Sequence, residues 1–281
     1  MRARDSFVPP PPGHRDTVVD GVRWRSRETP GRGHPVIFVH GLLASSATWQ
    51  DVLAPASAGR PAIAVDLPGF GWSDRPWPSD YTVDGAARAL LTYLDTRGIR
   101  RAALVGNSLG GAVAMLIAAE HPERITHLVL ASPATADARI RWPVGVLRTR
   151  RLGEAALAAA RRPFVAYGLR HWLYADAARV TESAIDDAWI PLTVPGTHRA
   201  ALAAIRTHRS RFRGLEDRVR VRTLVVWGAE DRLLPVGDGS RLAERIRGSR
   251  LVVLPDAGHL AQREQPAAFA RAVAPFLKLE A

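Results

Sequence analysis

Residues 102–119 of the chain, AALVGNSLGGAVAMLIAA, pass from an apolar run of strand character into a helix-forming run. Residues 106–110 of this stretch, GNSLG, have the pattern G-x-S-x-G. A tight turn from a strand straight into a helix strains its central residue, and a Cβ at Gly106 or Gly110 would meet the adjoining helix or strand. The pattern therefore predicts that the Ser108 hydroxyl stands at the carboxyl end of the strand, above the positive end of the helix dipole, where a nucleophile is useful.

Two other interpretations of this stretch are open. In the first, Ser108 only caps the helix that follows a buried strand–helix turn. In the second, the apolar window spans a membrane. Three glycines, an asparagine and a serine interrupt that window, and its periodicity changes midway, which favours a strand followed by a helix.

Composition sets the scale of the protein. With 281 residues, of which 47% are hydrophobic, the chain can bury the core of one large domain with an inserted subdomain. The absence of cysteine excludes disulfides, a thiolate nucleophile and zinc-finger spacing. Residues 1–13, MRARDSFVPPPPG, lack the apolar core of a signal peptide, and no later segment is a convincing membrane span. We therefore expect a cytoplasmic protein without integral membrane contact.

The charge of the chain is strongly basic. The formal net charge is +12, and nearly all of the positive charge is arginine because Lys278 is the single lysine. The arginines are not interleaved with aromatic residues and lie in no recognisable binding module, so no nucleic-acid partner is expected. A solvated surface is the favoured interpretation, and attraction of anionic substrates or membrane surfaces is the alternative. The densest groups are Arg139, Arg141, Arg148, Arg150, Arg151, Arg161 and Arg162, and the segment 199–222.

Hydrophobic periodicity predicts an α/β fold. Short apolar strands alternate with helices, an order typical of a mostly parallel sheet that is covered by helices on both faces and binds ligands beyond the carboxyl ends of its strands. The predicted strands are 17–27, 35–39, 60–65, 102–105, 125–130, 223–227 and 250–254, and the predicted helices are 82–98, 109–120, 239–247 and one after Pro266.

This alternation stops at Ala131 and resumes near Arg222, with a mainly helical segment between them. We therefore divide the chain into a proline-rich tail (1–15), an α/β core (16–134 and 214–281) and an inserted helical lid (135–213). Five aromatic residues of the lid are candidates either to line an apolar acyl pocket or to pack the lid helices: Trp142, Tyr167, Trp172, Tyr174 and Trp189.

A serine hydroxyl needs a general base to become a nucleophile, and the base needs an acid to orient it. Two segments that follow predicted strands supply these groups: residues 227–231, WGAED, end in Asp231, and residues 254–259, LPDAGH, end in His259. Because loops at the carboxyl ends of parallel strands meet at one edge of the sheet, Ser108, Asp231 and His259 are expected to lie close together.

In these features the chain resembles the α/β-hydrolase family, whose strand–serine–helix elbow and Ser…Asp/Glu…His order it shares. The resemblance covers nearly the whole chain from Asp16 onward. It also includes HGLL at 40–43, similar to the oxyanion loop of the family, DLPGFGWSD at 66–74 and GH at 258–259.

The resemblance implies an α/β-hydrolase fold with an inserted lid and catalysis by Ser108, Asp231 and His259. It further implies that the backbone N–H groups of Leu42 and Leu109 form the oxyanion hole. Neither a metal nor an organic cofactor is required for this chemistry, and the expected partner is a small-molecule substrate with an activated carbonyl.

Other residues compete for these roles. Glu230 precedes the favoured acid by one residue, and Asp137, past an earlier strand, is a further candidate acid. Asp256 lies too close to His259 in sequence to orient it and suits a turn. His40 stands in the segment that resembles the oxyanion loop, which indicates a structural hydrogen-bonding role.

A serine at the elbow excludes the members of the family that cleave epoxides or carbon–halogen bonds, because they carry aspartate there. The favoured function is a serine hydrolase that acts on a medium-sized, partly apolar carboxylic ester, thioester or lactone through an acyl-enzyme on Ser108. Three alternatives stay open: hydrolysis of a C–C bond beside a ketone, acyl transfer or cofactor-free perhydrolysis, and ligand binding by a non-catalytic relative.

Hydrolysis of C–C bonds ranks second because one segment of the sequence favours it and two features disfavour it. Residues 258–262, GHLAQ, are similar to the corresponding segment of C–C hydrolases that act on aromatic ring-cleavage products. However, the segment after Gly41 lacks the glycine-rich sequence expected of those enzymes, and Leu260 stands in place of tryptophan. The arginines of the predicted lid further suggest an anionic substituent on the substrate.

Overall fold

The structure, a computed structural model, describes residues 13–135, 144–206 and 213–278. Its strands are β1 (His14–Val19), β2 (Val22–Thr29), β3 (Val36–Val39), β4 (Ala62–Val65), β5 (Ala102–Asn107), β6 (Ile125–Ala131), β7 (Thr223–Gly228) and β8 (Arg250–Leu254). They form one sheet in the order β1-β2-β4-β3-β5-β6-β7-β8. β2 pairs antiparallel with both β1 and β4, and the remaining neighbours pair parallel.

Helices cover both faces of this sheet, which confirms the predicted α/β fold. The α-helices of the described residues are α1 (Leu53–Ala56), α2 (Val83–Thr96), α3 (Leu109–Glu120), α4 (Arg150–Ala158), α5 (Arg162–Gly168), α6 (Glu182–Thr193), α7 (Thr197–Ile205), α8 (Val236–Arg245), α9 (Ala261–Glu264) and α10 (Pro266–Lys278). Residues of α2, α3 and α8 pack against one face, and residues of α1 and α10 pack against the other.

The central strands are mostly apolar and fully buried, as expected when helices cover both faces of a sheet. In β3, Ile37 and Val39 belong to the core beneath α2 and α3, whereas Val36 and Phe38 belong to the core beneath α1 and α10. All four side chains are fully buried. Such alternation follows from the two-residue period of a strand, in which successive side chains point to opposite faces.

Between β6 and β7 the chain forms the helices α4 to α7, and we call residues 144–206 the helical insertion. It has a small apolar core of its own, formed by Ala166, Leu169, Tyr174, Val180 and Ile185. The insertion lies within the segment 135–213 that the sequence assigns to a lid, of which 136–143 and 207–212 are outside the described residues. That it moves as a lid stays a prediction.

The N-terminal part of the sheet differs from the prediction. The single strand predicted at 17–27 is two strands, β1 and β2, joined by Asp20 and Gly21 with φ angles of +48° and +78°. An Asp-Gly pair with positive φ angles is typical of a two-residue hairpin turn. Because β1 begins at His14, opposite Arg27, residues 14–15 belong to the sheet and not to the predicted tail 1–15, whose residues 1–12 lie outside the described part.

The order of the strands reverses at β3, and this reversal locates a crevice. β4 pairs with one side of β3 and β5 pairs with the other side. In open α/β sheets, ligands bind at such a point, beyond the carboxyl ends of the strands. The segments that leave the carboxyl ends of β3 and β5 begin with His40 and Ser108.

Helix α3 packs so close to the sheet that two positions exclude any side chain. A Cβ on Gly106 would lie 2.3 Å from the carbonyl oxygen of Gly110, and a Cβ on Gly110 would lie 2.2 Å from the carbonyl oxygen of Val39. Both obstacles are backbone atoms, which cannot rotate away as a side chain does. The expectation that Gly106 and Gly110 need to be glycine is confirmed.

Replacing Gly110 with alanine tests this packing. We expect Gly110→Ala to lower the free energy of unfolding by about 1–3 kcal/mol, because β3 and α3 have to separate. Gly237→Ala is the matched control, since Gly237 lies in α8 and its Cβ would meet only the Arg241 guanidinium, at 3.6 Å. Helix propensity predicts that the control gains up to about 1 kcal/mol. Urea unfolding measures both, and equal stability of the parent and Gly110→Ala would contradict the packing argument.

Candidate active site

Ser108 lies between β5 and α3 with φ +53° and ψ −116°. Backbone hydrogen bonds hold this sparsely populated conformation: its N–H donates to the carbonyl of Ala131 at 3.1 Å, and its carbonyl accepts from the N–H of Ala134 at 2.9 Å. Its side chain makes no capping hydrogen bond to α3. The interpretation of Ser108 as a helix cap is therefore wrong, and the hydroxyl is left for another role.

His259 and Asp231 form a buried pair at the ends of the segments that follow β8 and β7. The His259 Nδ1 lies 2.8 Å from Asp231 Oδ2, while Asp231 Oδ1 accepts hydrogen bonds from the N–H groups of Leu233 (2.9 Å) and Leu234 (2.8 Å). A carboxylate only accepts hydrogen bonds, so Nδ1 carries the proton and Nε2 is the basic nitrogen. The two residues are 3% and 6% exposed, respectively, which shields the pair from water.

The competing acids are placed elsewhere. The Glu230 carboxylate accepts a hydrogen bond from the Ala257 N–H at 2.9 Å and thereby ties the acid loop to the segment before His259. Asp256 is exposed with φ +52°, as expected for a turn residue. Asp137 lies outside the described residues.

The two predicted oxyanion donors lie beside the serine. Leu42, Leu109 and Ser108 line the same cavity. A Cβ on Gly41 would lie 3.1 Å from the Ser108 Cβ, so the segment after β3 packs directly against the elbow. Leu109 is the first residue of α3, and the N–H groups of a first helical turn have no partner within the helix.

His40 is held as a structural residue by two hydrogen bonds. Its Nδ1 lies 2.7 Å from the Gly41 carbonyl, and its Nε2 accepts from the Leu67 N–H at 3.1 Å. These partners require the neutral ring, with the proton on Nδ1. Burial lowers the pKa of His40 below its ordinary value, against the opposing effects of Asp66 and of the hydrogen bond to Gly41, and this also favours the neutral form.

Glu264, which stands in no predicted motif, connects the segment before His259 to the helical insertion. Its buried carboxylate accepts hydrogen bonds from three backbone N–H groups, those of Gly258 (2.6 Å), Ala175 (2.8 Å) and Asp176 (3.0 Å). One side chain therefore fixes the residue before His259 and the part of the insertion above it. The partners are up to 89 positions apart, so no local pattern announces this role.

Arg232, next to the acid, makes a second connection of this kind. Its guanidinium donates to the carbonyls of His171 (3.4 Å), Tyr174 (3.3 Å) and Ala175 (3.1 Å). Arg232 and Glu264 together attach one stretch of the insertion to the loops that carry Asp231 and His259.

Ser108 and His259 open on a cavity of about 340 Å³ between the sheet and the insertion. Of the five aromatic residues that are candidates either to line a pocket or to pack the lid helices, Trp172 and Tyr174 line this cavity, Tyr167 and Trp189 do not, and Trp142 lies outside the described residues. The lining is mostly apolar and rich in leucine: Leu42, Leu43, Leu109, Leu147, Leu169, Leu173, Leu192, Leu233, Leu234 and Leu260.

The arginines of the insertion do not account for the chemistry of this cavity. No insertion arginine whose side chain the structure describes is among the lining residues. Arg139 and Arg141 lie outside the described residues. Several of the others pair on the surface, as Arg162 does with Glu182 and Asp186.

Two further features concern only the part of the chain that the structure describes. No group of three or more His, Cys, Asp or Glu side chains there is arranged to hold a metal ion. None of its helices has both the length and the apolar character needed to cross a membrane.

Comparison with known proteins agrees with this geometry. The sequence model of a family described as alpha/beta hydrolase fold matches residues 34–266. The 2-hydroxymuconate semialdehyde hydrolase of Pseudomonas sp. (strain CF600) is 30% identical over 274 residues, which are 94% of this chain and 93% of that protein.

Solved structures resemble the fold over nearly its whole length. A meta-cleavage product hydrolase from Pseudomonas fluorescens IP01 superposes with a TM-score of 0.81 at 25% identity, covering 93% of this chain and 96% of that one. The enol-lactonase from Burkholderia xenovorans LB400 superposes with a TM-score of 0.80 at 25% identity, covering 94% and 100%.

The family match runs through the elbow at Ser108, the acid loop at Asp231 and the base loop at His259. These are the three segments that the sheet brings to one cavity. The chain therefore belongs to the α/β-hydrolase fold family.

Proposed function

We propose that this protein is a serine hydrolase that forms an acyl-enzyme on Ser108. The main support for this proposal is that Ser108 and His259 line the same cavity. Ser108 stands on a strained elbow, and His259, whose ring is oriented by the Asp231 carboxylate at 2.8 Å, opens on the same cavity. This is the combination of nucleophile, base and orienting acid that activates a hydroxyl.

In the first half of the reaction, the Ser108 oxygen attacks the carbonyl carbon of the substrate while His259 Nε2 takes its proton. The carbonyl electron pair moves to the oxygen, which accepts hydrogen bonds from the N–H groups of Leu42 and Leu109; each such donor is worth about 3 kcal/mol. The tetrahedral intermediate then collapses, and the leaving group departs with the proton from His259.

In the second half, water attacks the acyl carbon and His259 takes one of its protons. Collapse breaks the bond to the Ser108 oxygen, which recovers a proton from His259, and the carboxylic acid is released. General-base assistance of this kind contributes about 10²–10⁴-fold to the rate.

Our first candidate for the bond that is cleaved is a C–C bond beside a ketone. Support comes from the 2-hydroxymuconate semialdehyde hydrolase at 30% identity and from the meta-cleavage product hydrolase structure. Cleavage of a C–C bond leaves an electron pair on carbon, so the substrate needs a second carbonyl that accepts this pair as an enolate. His259 then gives its proton to that carbon.

Our second candidate is a carboxylic ester or a lactone. The likeness to an enol-lactonase structure supports it, because a lactone is an internal ester. Two departures from C–C hydrolases support it as well, namely Leu260 after the base and the segment after Gly41, which is not glycine-rich. The alcohol part of an ester leaves as an alkoxide, which His259 protonates, so that the substrate needs no second carbonyl.

Reaction with a fluorophosphonate tests the nucleophile. We expect intact-mass spectrometry to find one adduct on the parent protein and none on Ser108→Ala, because only an activated serine attacks phosphorus at a useful rate. Circular dichroism checks that both proteins are folded. A folded parent that forms no adduct, or an adduct that persists in Ser108→Ala, would contradict the proposal.

Substitution of the two neighbouring carboxylates tests the assignment of the acid. We expect Asp231→Asn to lower kcat by about 10²–10⁴-fold, because the amide no longer fixes the His259 tautomer or stabilises its charged form. Glu230→Gln is the matched control, since Glu230 accepts a hydrogen bond from the Ala257 backbone, which a glutamine oxygen can also accept, and it should keep kcat within about tenfold of the parent. The reverse order of the two effects would assign the acid to Glu230.

A matched pair of substrates separates the two candidate bonds. A 1,3-diketone and an aryl ester that share one acyl group give the same acyl-enzyme but differ in the leaving group. If the first candidate is right, both compounds release the same acid, and Ser108→Ala abolishes both reactions. Release of the acid from the ester alone, measured by chromatography, would reject C–C hydrolysis and leave the second candidate.

A further inference from the structure

The cavity contains one pair of opposite charges. Among the described residues that line it, Arg263 is the only arginine or lysine and Asp187 is the only carboxylate. Arg263 lies in α9, shortly after His259, whereas Asp187 lies in α6 of the helical insertion. The pair therefore spans the boundary between the core and the insertion, inside the space where a substrate would bind.

The Arg263 guanidinium is satisfied by protein atoms. Its two terminal nitrogens each lie 3.1 Å from Asp187 Oδ2, and one of them also donates to the Ala47 carbonyl at 2.7 Å. A further carboxylate, Asp51, lies 4.0 Å from its Nε. The side chain of Arg263 is 8% exposed, compared with 30% for Asp187 and 46% for Asp51.

The surroundings keep this guanidinium charged in spite of its burial. Desolvation lowers the pKa of Arg263, but the nearby Tyr174, Asp187 and Asp51 outweigh it, so that the pKa is raised above its ordinary value. If Asp187 loses its charge, the remaining carboxylate, Asp51, lies 4.0 Å from Nε and away from the terminal nitrogens, which can then attract another anion.

Asp187 offsets the attraction of Arg263 for a negatively charged group of the substrate. While Asp187 is present, the charges of the pair cancel, and a substrate carboxylate that approaches Arg263 also meets the negative charge of Asp187. An uncharged, apolar group meets no such repulsion and buries its surface against the leucines of the cavity.

Resting on the proposed acyl chemistry at Ser108, we infer that Asp187 is a specificity-determining residue: by neutralising Arg263 it restricts the substrate to uncharged groups at this wall of the cavity. The substrate class is then a neutral ketone, ester or lactone. This protein therefore differs, in the charge of the substrate that it accepts, from an enzyme that binds a substrate carboxylate with an unpaired arginine.

The experiment compares p-nitrophenyl hexanoate with the mono-p-nitrophenyl ester of adipic acid, which differs by a terminal carboxylate in place of a methyl group. Succinate, glutarate and suberate monoesters vary the distance of the carboxylate from the reacting carbonyl. We expect the parent to prefer the neutral ester. Asp187→Asn should shift the ratio of kcat/KM values toward at least one carboxylated ester by about 10–100-fold, because the amide no longer neutralises the Arg263 charge or repels a substrate carboxylate.

Two variants control for other effects of the substitution. Asp51→Asn also removes a carboxylate near Arg263, but Asp51 does not line the cavity, so the ratio should stay within about threefold of the parent. Asp187→Asn combined with Arg263→Gln removes both charges and should lose the gain. Thermal unfolding of each variant establishes that it is folded at the assay temperature.

A binding measurement separates this inference from the proposed function. In the Ser108→Ala background, calorimetry measures the affinity for N-(4-nitrophenyl)hexanamide and for its counterpart with a terminal carboxylate, with and without Asp187→Asn. A gain for the carboxylate that depends on Asp187→Asn supports the inference even if the parent hydrolyses no ester. An unchanged ratio in folded Asp187→Asn, in both turnover and binding, would overturn it.

Discussion

The close approach of two backbone segments, at Gly106 and Gly110, is the constraint on which the site depends. It places α3 against β3 and β5 so tightly that the chain turns from strand to helix within one residue, Ser108. The strain at φ +53° is maintained by backbone hydrogen bonds to Ala131, at the end of β6, and to Ala134 after it, and not by the serine side chain. The hydroxyl is consequently free, and the first N–H groups of α3 stand beside it.

The proposed base, His259, is held in place by carboxylates that also accept hydrogen bonds from the backbone. Asp231 binds the imidazole with one oxygen and two main-chain N–H groups with the other, while Glu264 binds three N–H groups from the base loop and the helical insertion. Backbone donors lose little conformational entropy on binding, so the ring of His259 is oriented before any substrate arrives. The bonds from Glu264 to Ala175 and Asp176 also attach the insertion to the loop that carries His259.

Sequence reasoning succeeds where the signal is local. The elbow at Ser108 and the apolar strands follow from periodicity and a five-residue pattern, and both agree with the structure. The hairpin at 20–21 is an exception, because Asp20-Gly21 is a local signal for a two-residue turn that the prediction of one strand over 17–27 overlooks. The role of Glu264 cannot be predicted from a local pattern, because its partners lie up to 89 residues away. Whether an aromatic residue of the insertion points into the cavity depends on how its short helices pack, so that Trp172 lines the cavity whereas Tyr167 is 56% exposed.

The most direct test of the account is to capture the acyl group on the serine. Trypsin releases residues 102–124 as one peptide, in which Ser108 is the only residue with a hydroxyl group. The protein is mixed with a p-nitrophenyl ester, quenched in acid during turnover, digested and analysed by mass spectrometry. The account predicts that this peptide gains the mass of the acyl group, with the fragment ions placing it on Ser108. Turnover without any acyl group on this peptide, at every quench time, would contradict it.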